Sequence, residues 1–165
     1  MMSGCCKHEA AAACSLPERE LGICPSCEKK ARSVSTLTVK SLVRDHTRVS
    51  AGGSYWFCRT PECDVVYFSK KAVFRKPDVK VRVGLKEKQD PIPLCYCFDY
   101  TREDIRSDIT HRGQSDIPDK IKAEVQGGFC ACEIKNPSGA CCLGDIGSAI
   151  QEMRKQSEHV SSTTE

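Results

Sequence analysis

Two spaced sets of cysteines constrain this chain more than any other feature. Its 165 residues carry 13 cysteines. One set reads Cys24-x₂-Cys27-x₃₀-Cys58-x₄-Cys63. Two short knuckles separated by a β-rich segment meet the need of a tetrahedral four-thiolate zinc site. Each knuckle gives two ligands from a tight turn, and the strands carry the second pair back to the first. Such a closed site has no open coordination position, so the ion is expected to be structural. The other set reads Cys95-x-Cys97-x₃₄-Cys132-x₈-Cys141-Cys142, with Cys130 nearby. Two thiols one residue apart do not comfortably close a disulfide on each other, yet both can face one metal centre. Soft four-cysteine ligation from two loops suits an iron–sulfur cluster or zinc. The spacing leaves the third ligand open between Cys130 and Cys132, and the fourth between Cys141 and Cys142.

The rest of the composition agrees with small metallodomains. Aromatic residues are sparse at 6 %, and neither half has the large apolar residues of a generous core. Bound metal then supplies folding free energy that the core lacks. Met1–Leu21 is polar, Ala-rich and charged, without the apolar core of a signal peptide. No stretch reaches the apolar length of a transmembrane helix. The expected location is the cytoplasm, without membrane insertion. In that reducing compartment paired cysteines read as metal ligands before disulfides. A net charge of +3 does not support a nucleic-acid partner. The excess at Lys70-Lys71, Arg75-Lys76 and Lys80-Val81-Arg82 reads as a solvated face. His8, His46, His111 and His159 are scattered, no nucleophile–base pair stands out, and no Gly-rich phosphate loop is present. No catalytic residue is assigned. Any enzymatic activity is limited to one-electron reduction of a metal ion such as Cu(II).

Along the chain, residues 1–21 read as a flexible tail bearing Cys5, Cys6, His8 and Cys14. Residues 22–88 read as a β-rich zinc-binding module. In it, Thr36-Leu37-Thr38-Val39 and Asp64–Phe68 are predicted strands. Val79, Val81 and Val83 alternate with Lys80 and Arg82 as a half-buried strand. Asp90-Pro91-Ile92-Pro93 marks a boundary. Beyond it the apolar period changes from two to about 3.6. Residues 89–154 read as a helical module. Thr101-Arg102-Glu103-Asp104 is a capping-box variant that opens a first helix with Ile105 and Ile109. Ser115 or Asp116 opens a second, with Ile117, Ile121 and Val125 on its apolar face and Gly127-Gly128 at its end. A third is predicted from Gly144 or Asp145 to Arg154, presenting Ile146, Ile150 and Met153. Residues 155–165 are Ser/Thr-rich and read as disordered. The fold class is α+β: a zinc-ribbon-like module followed by a small helical one.

Cys95-x-Cys97, a helical pair and a cysteine loop resemble the bacterioferritin-associated ferredoxin type of [2Fe–2S] domain. That family has Cys-x-Cys, two helices and Cys-x₂-Cys leading into another helix. This chain departs at the last pair, where Asn136-Pro137-Ser138-Gly139 separates the thiols. The resemblance implies Cys95, Cys97, Cys132 and Cys141 as cluster ligands. Cys132 abuts the turn, and Gly139-Ala140-Cys141 resembles the Gly-x-Cys before the family's helix. Cys130 and Cys142 are the alternatives.

A longer series of motifs joins the two halves: Cys24-Pro25-x-Cys27, Phe57-Cys58-x₄-Cys63-Asp64-Val65-Val66-Tyr67-Phe68, Val83-Gly84-Leu85-Lys86-Glu87-Lys88, Cys95-Tyr96-Cys97 and Asn136-Pro137-Ser138-Gly139-x-Cys141-Cys142. In that order they resemble the N-terminal region of the archaeal CopZ copper-chaperone family and of bacterial iron–sulfur-binding metallochaperones, from about Ile23 to Ile150. The resemblance implies zinc at Cys24, Cys27, Cys58 and Cys63, a [2Fe–2S] cluster in the second half and Cu(I) as cargo. Partners implied are metal transporters or metal-resistance proteins, or an electron donor. The archaeal chaperone continues into a heavy-metal domain with its own Cys-x₂-Cys. The sequence to Glu165 has none, so Cys5, Cys6 and Cys14 are the thiols expected to stand in for it. The leading expectation is a metallochaperone that handles copper or another soft ion with redox activity. The alternatives are a [2Fe–2S] electron-transfer protein serving a partner enzyme, or a redox-sensing scaffold.

Overall fold

The computed structural model describes residues 22–161. The tail thiols Cys5, Cys6 and Cys14 lie outside them. The first half is a five-stranded antiparallel meander in the order β1-β2-β3-β4-β5. Its strands are β1 (Gly22–Ile23), β2 (Lys30–Val34), β3 (Tyr55–Phe57), β4 (Val65–Phe68) and β5 (Val73–Arg75). Strand alternation gives the sheet two buried faces. Tyr55 and Phe57 enter the larger core with Val39, Val43, Tyr67 and Phe74. Trp56, between them, points to the other face and joins Ala31, Val65 and Phe68 around the first cysteines. A register shift between Val65 and Tyr67 accompanies the placing of adjacent Val66 and Tyr67 in the same core.

Two predicted strands of this half take other forms. Thr36–Leu42 is a helix, α1, not a strand. Its β-branched residues favour strands, but Ser35 caps the first turn by accepting from the Leu37 N–H at 3.1 Å, and Thr38, Val39 and Leu42 bury one face. Capping and burial outweigh propensities that differ by only tenths of a kcal/mol. Val79–Val83 keeps the predicted alternation, with Val79 and Val83 buried and Lys80 and Arg82 exposed, but it does not join the sheet. A 3₁₀ turn at Lys76–Asp78 takes the chain away after β5. Val79 then bridges Val43, and the Lys80 N–H donates to the Leu42 carbonyl at 2.8 Å.

The second half opens with a two-stranded hairpin, β6 (Pro93–Cys95) and β7 (Tyr100–Thr101). Four helices follow: α2 (Arg102–Arg112), α3 (Ile117–Gln126), α4 (Cys132–Lys135) and α5 (Leu143–Ser161). The capping box at α2 forms as predicted, with Thr101 accepting from the Asp104 N–H and Asp104 accepting from the Thr101 N–H. Ile105, Ile117, Ile121, Ile146, Ile150 and Met153 meet in one core with Cys95 and Cys142. The third helix starts one residue before its predicted range. It continues to Ser161, past Arg154 and into the stretch expected to be disordered.

The halves pack against each other through the inserted turn. Tyr67 in β4 donates its hydroxyl to the Pro137 carbonyl at 2.7 Å. Gly139, at φ +64°, lies so close to α1 that an added Cβ would stand 2.9 Å from Thr38 Oγ1. Tyr96 accepts from the Gly84 N–H and donates to the Arg82 carbonyl.

Candidate metal centres

The sheet order builds the first centre. Cys24 and Cys27 occupy the β1–β2 turn, and Cys58 and Cys63 the connection from β3 to β4. Because β2 pairs with β3 (Arg32 opposite Phe57), both connections lie at the same end of the sheet. The first knuckle closes by hydrogen bonds from the Glu28 N–H to the Cys24 carbonyl and from the Cys24 N–H to the Lys29 carbonyl. Glu28 sits in the left-handed region at φ 58°. The second knuckle closes by the Cys63 N–H donating to the Thr60 carbonyl, while Cys58 stays in the ladder to Val66.

All four sulfurs lie within 4.8 Å of one another. Cys24 Sγ is 3.9 Å from Cys63 Sγ, and Cys27 Sγ is 3.6 Å from Cys58 Sγ. A zinc ion with Zn–S bonds of about 2.3 Å in a regular tetrahedron separates its sulfurs by about 3.8 Å. The thiols are therefore preset at the spacing a single tetrahedral ion requires. Among the described residues no other group of three or more cysteine, histidine or carboxylate side chains converges as tightly. Burial pushes the Cys58 thiol up to about 12 and raises Cys24. The Thr60 hydroxyl, 3.3 Å from Cys27 Sγ, brings that thiol down to about 6. A bound cation removes the burial penalty by favouring all four thiolates.

Lys86 is a member of this neighbourhood that the cysteine spacing does not reveal. Its side chain is 2 % exposed and donates to the Thr60 carbonyl at 2.7 Å and the Cys63 carbonyl at 2.9 Å. The Gly84-Leu85-Lys86 string is visible in sequence, but its proximity to the second knuckle is not.

The second set is arranged differently. Cys95 ends β6 and is buried, and Cys97 lies in the hairpin turn. Cys97 Sγ is 3.6 Å from Cys132 Sγ at the start of α4. Cys97 also accepts from the Ala131 N–H at 3.3 Å. Cys95 and Cys142 are buried in the same core, where the Cys142 thiol stabilises the Cys95 thiolate and lowers it to about 6, while Cys142 itself is raised by Cys95 and by burial. The fold thus turns Cys142 inward and leaves Cys141, the thiol chosen on resemblance, exposed. The reason is α5: the chain enters it directly after Cys142, and Ile146 bonds back to the Cys142 carbonyl from the buried core. Cys130 is exposed, and Cys132 is pushed up to about 12, chiefly by burial.

A family described as a zinc binding domain of the CopZ type matches residues 21–80. The copper chaperone CopZ of Archaeoglobus fulgidus is 35 % identical over 140 residues, spanning 83 % of this chain and 67 % of that protein. The chain belongs to the CopZ family. The X-ray structure of the Archaeoglobus fulgidus CopZ N-terminal domain superimposes with a TM-score of 0.62 at 33 % identity, covering 75 % of this chain and 96 % of that one. The antiparallel sheet with attached helices is thus a CopZ N-terminal fold. The converging thiols and the matched zinc binding domain together make the cysteine cluster a metal-binding site. No helix among the described residues is long and apolar enough to cross a membrane.

Proposed function

We propose that this protein is a CopZ-type metallochaperone with two resident metal centres and copper as its cargo. Zinc is held by Cys24, Cys27, Cys58 and Cys63, where a closed tetrahedron gives a structural role. A [2Fe–2S] cluster is held by Cys95, Cys97, Cys132 and Cys142, with Cys142 taking the place that resemblance gives to Cys141. The observation that carries this reading is the contrast between the two thiol sets. One is a single mutual cluster of sulfurs, as one ion requires. The other brings Cys97 to 3.6 Å from Cys132 and buries Cys95 and Cys142 together in one core, which suits a centre with two metal atoms, each taking two cysteines. When bound, the cluster supplies one-electron redox chemistry. The chain's own contribution includes the Ala131 N–H on Cys97, since hydrogen bonds to cluster sulfurs shift reduction potential. We read residues 22–88 and 89–154 as the zinc and cluster modules, the second similar to bacterioferritin-associated ferredoxin.

Cargo copper is assigned to thiols left over from both centres. These are exposed Cys130 and Cys141, together with Cys5, Cys6 and Cys14. Thiolates favour Cu(I), the softer state. A metal transporter is the partner that such a carrier serves. The test is anaerobic metal and sulfide analysis of the full chain with its absorption spectrum. Cys142→Ala is expected to lose iron and visible absorption while keeping zinc, and Cys141→Ala to keep all three. Replacing Cys130 and Cys141 together is expected to weaken Cu(I) retention against a chromogenic chelator without loss of iron. Iron loss in Cys141→Ala with retention in Cys142→Ala reverses the ligand assignment. Cu(I) retention indifferent to all five thiols replaces the chaperone reading with a simple electron-transfer protein.

A further inference from the structure

Lysine is almost never fully buried without a counter-charge, and an unpaired buried ammonium is strongly unfavourable. Lys86 nonetheless sits 2 % exposed with two neutral carbonyls as its hydrogen-bond acceptors. The adjacent acid, Glu87, is engaged with Lys76 at 3.8 Å and Arg82 at 2.9 Å. Among the described residues no carboxylate stands within 4.0 Å of the Lys86 ammonium. Both carbonyls it holds belong to the Cys58–Cys63 knuckle. Four thiolates around a divalent ion carry a net charge of two minus, and that is the missing counter-charge.

The surroundings fix Lys86 where it is. It ends a 3₁₀ turn, Gly84–Lys86. The Gly84 N–H donates to Tyr96 at 2.8 Å, and a Cβ on Gly84 would lie 1.9 Å from the Pro93 carbonyl oxygen. The Lys86 carbonyl accepts from the Lys76 ammonium at 2.6 Å. The turn is thereby clamped between the Lys76–Asp78 turn and the Cys95 hairpin. A flexible surface lysine would lose its rotamer freedom on reaching the site, whereas this one is already placed.

We propose that Lys86 is the counter-ion of the Cys24–Cys27–Cys58–Cys63 metal centre, a residue whose fixed positive charge, held in place by the Thr60 and Cys63 carbonyls, offsets the charge of the metal–thiolate group. This rests on the reading that the four thiols hold a divalent ion, and the test separates the two. The full chain, Lys86→Met and Lys86→Gln are loaded with zinc at neutral pH, analysed for metal, and then acidified in the presence of a chromogenic zinc indicator. Glutamine keeps a donor for the carbonyls but has no charge. Groups supporting the ligands of a metal site are worth about 10–100-fold in affinity. Spread over four thiols that take up protons on release, this moves the release midpoint up by about 0.3–0.5 pH unit in both variants. Zinc absent from the unmodified chain at neutral pH overturns the metal reading. Zinc present with unshifted midpoints in both variants overturns the counter-ion. Restoration of the unmodified midpoint by Gln assigns the effect to hydrogen bonding and also overturns it. Loss of fold in both variants that zinc does not restore refutes a role confined to the metal's charge.

Discussion

Replacing Tyr67 by Phe removes one hydroxyl and tests whether the sheet carries the cysteine loop. The hydroxyl donates to the Pro137 carbonyl at 2.7 Å, and both residues are fully buried. Phenylalanine fills almost the same volume, so packing is nearly unchanged, but the Pro137 carbonyl loses a partner that water cannot replace. A buried acceptor left unpaired costs about 1–3 kcal/mol. For a chain of this size each kcal/mol lowers the melting temperature by about 2–4 °C, so the expected fall is about 2–12 °C. Burial also holds the Tyr67 phenol well above its ordinary range, so it donates throughout the accessible pH range and the deficit should not vary with mild alkali. Pro137 lies between Cys132 and Cys142, so on the ligation proposed above the loosened loop should release metal from the second thiol set faster while zinc at the first is retained. Thermal melts of the metal-loaded protein, paired with the decay of visible absorption under a chelator, measure both effects. A melting temperature and a decay rate both matching the unmodified chain refute the claim that this bond ties the loop to the sheet.

Two further outcomes follow from the first centre. Trp56 is the chain's single tryptophan; it packs over Gly22 and stacks on Phe68 at 5.7 Å within the cysteine-lined cluster. Removing metal from this centre should therefore shift its emission to the red and reduce strand content together, and unchanged emission would show that the metal is not structural. In the metal-free chain near pH 7, Cys27, held at about 6 and partly exposed, should alkylate ahead of Cys24 and Cys58, whose thiols burial raises. Peptide mapping by mass spectrometry checks the order, and reloading with zinc should protect all three.

What the sequence alone determined is what depends on spacing along the chain. The separate knuckles Cys24-x₂-Cys27 and Cys58-x₄-Cys63, the Thr101 capping box and the Ile117-Ile121-Val125 stripe are local patterns set by turn geometry or by the helical period, whereas the meeting of the two knuckles follows from the pairing of β2 with β3. Each has the form that local chemistry requires. Tertiary structure decided the rest, because those features depend on neighbours remote in sequence. Thr36–Val39 has β-branched residues, yet it became a helix once Ser35 capped it and its Val39–Leu42 face found the sheet. Cys141 and Cys142 are chemically identical neighbours. The docking of Ile146 and Ile150 fixed the start of α5, and that packing turned Cys142 toward Cys95 and left Cys141 exposed. Lys86 reads as one of several basic residues in a charged string, and only the folded chain buries its ammonium against the Thr60 and Cys63 carbonyls, because a burial partner is a matter of distance in space and not along the chain.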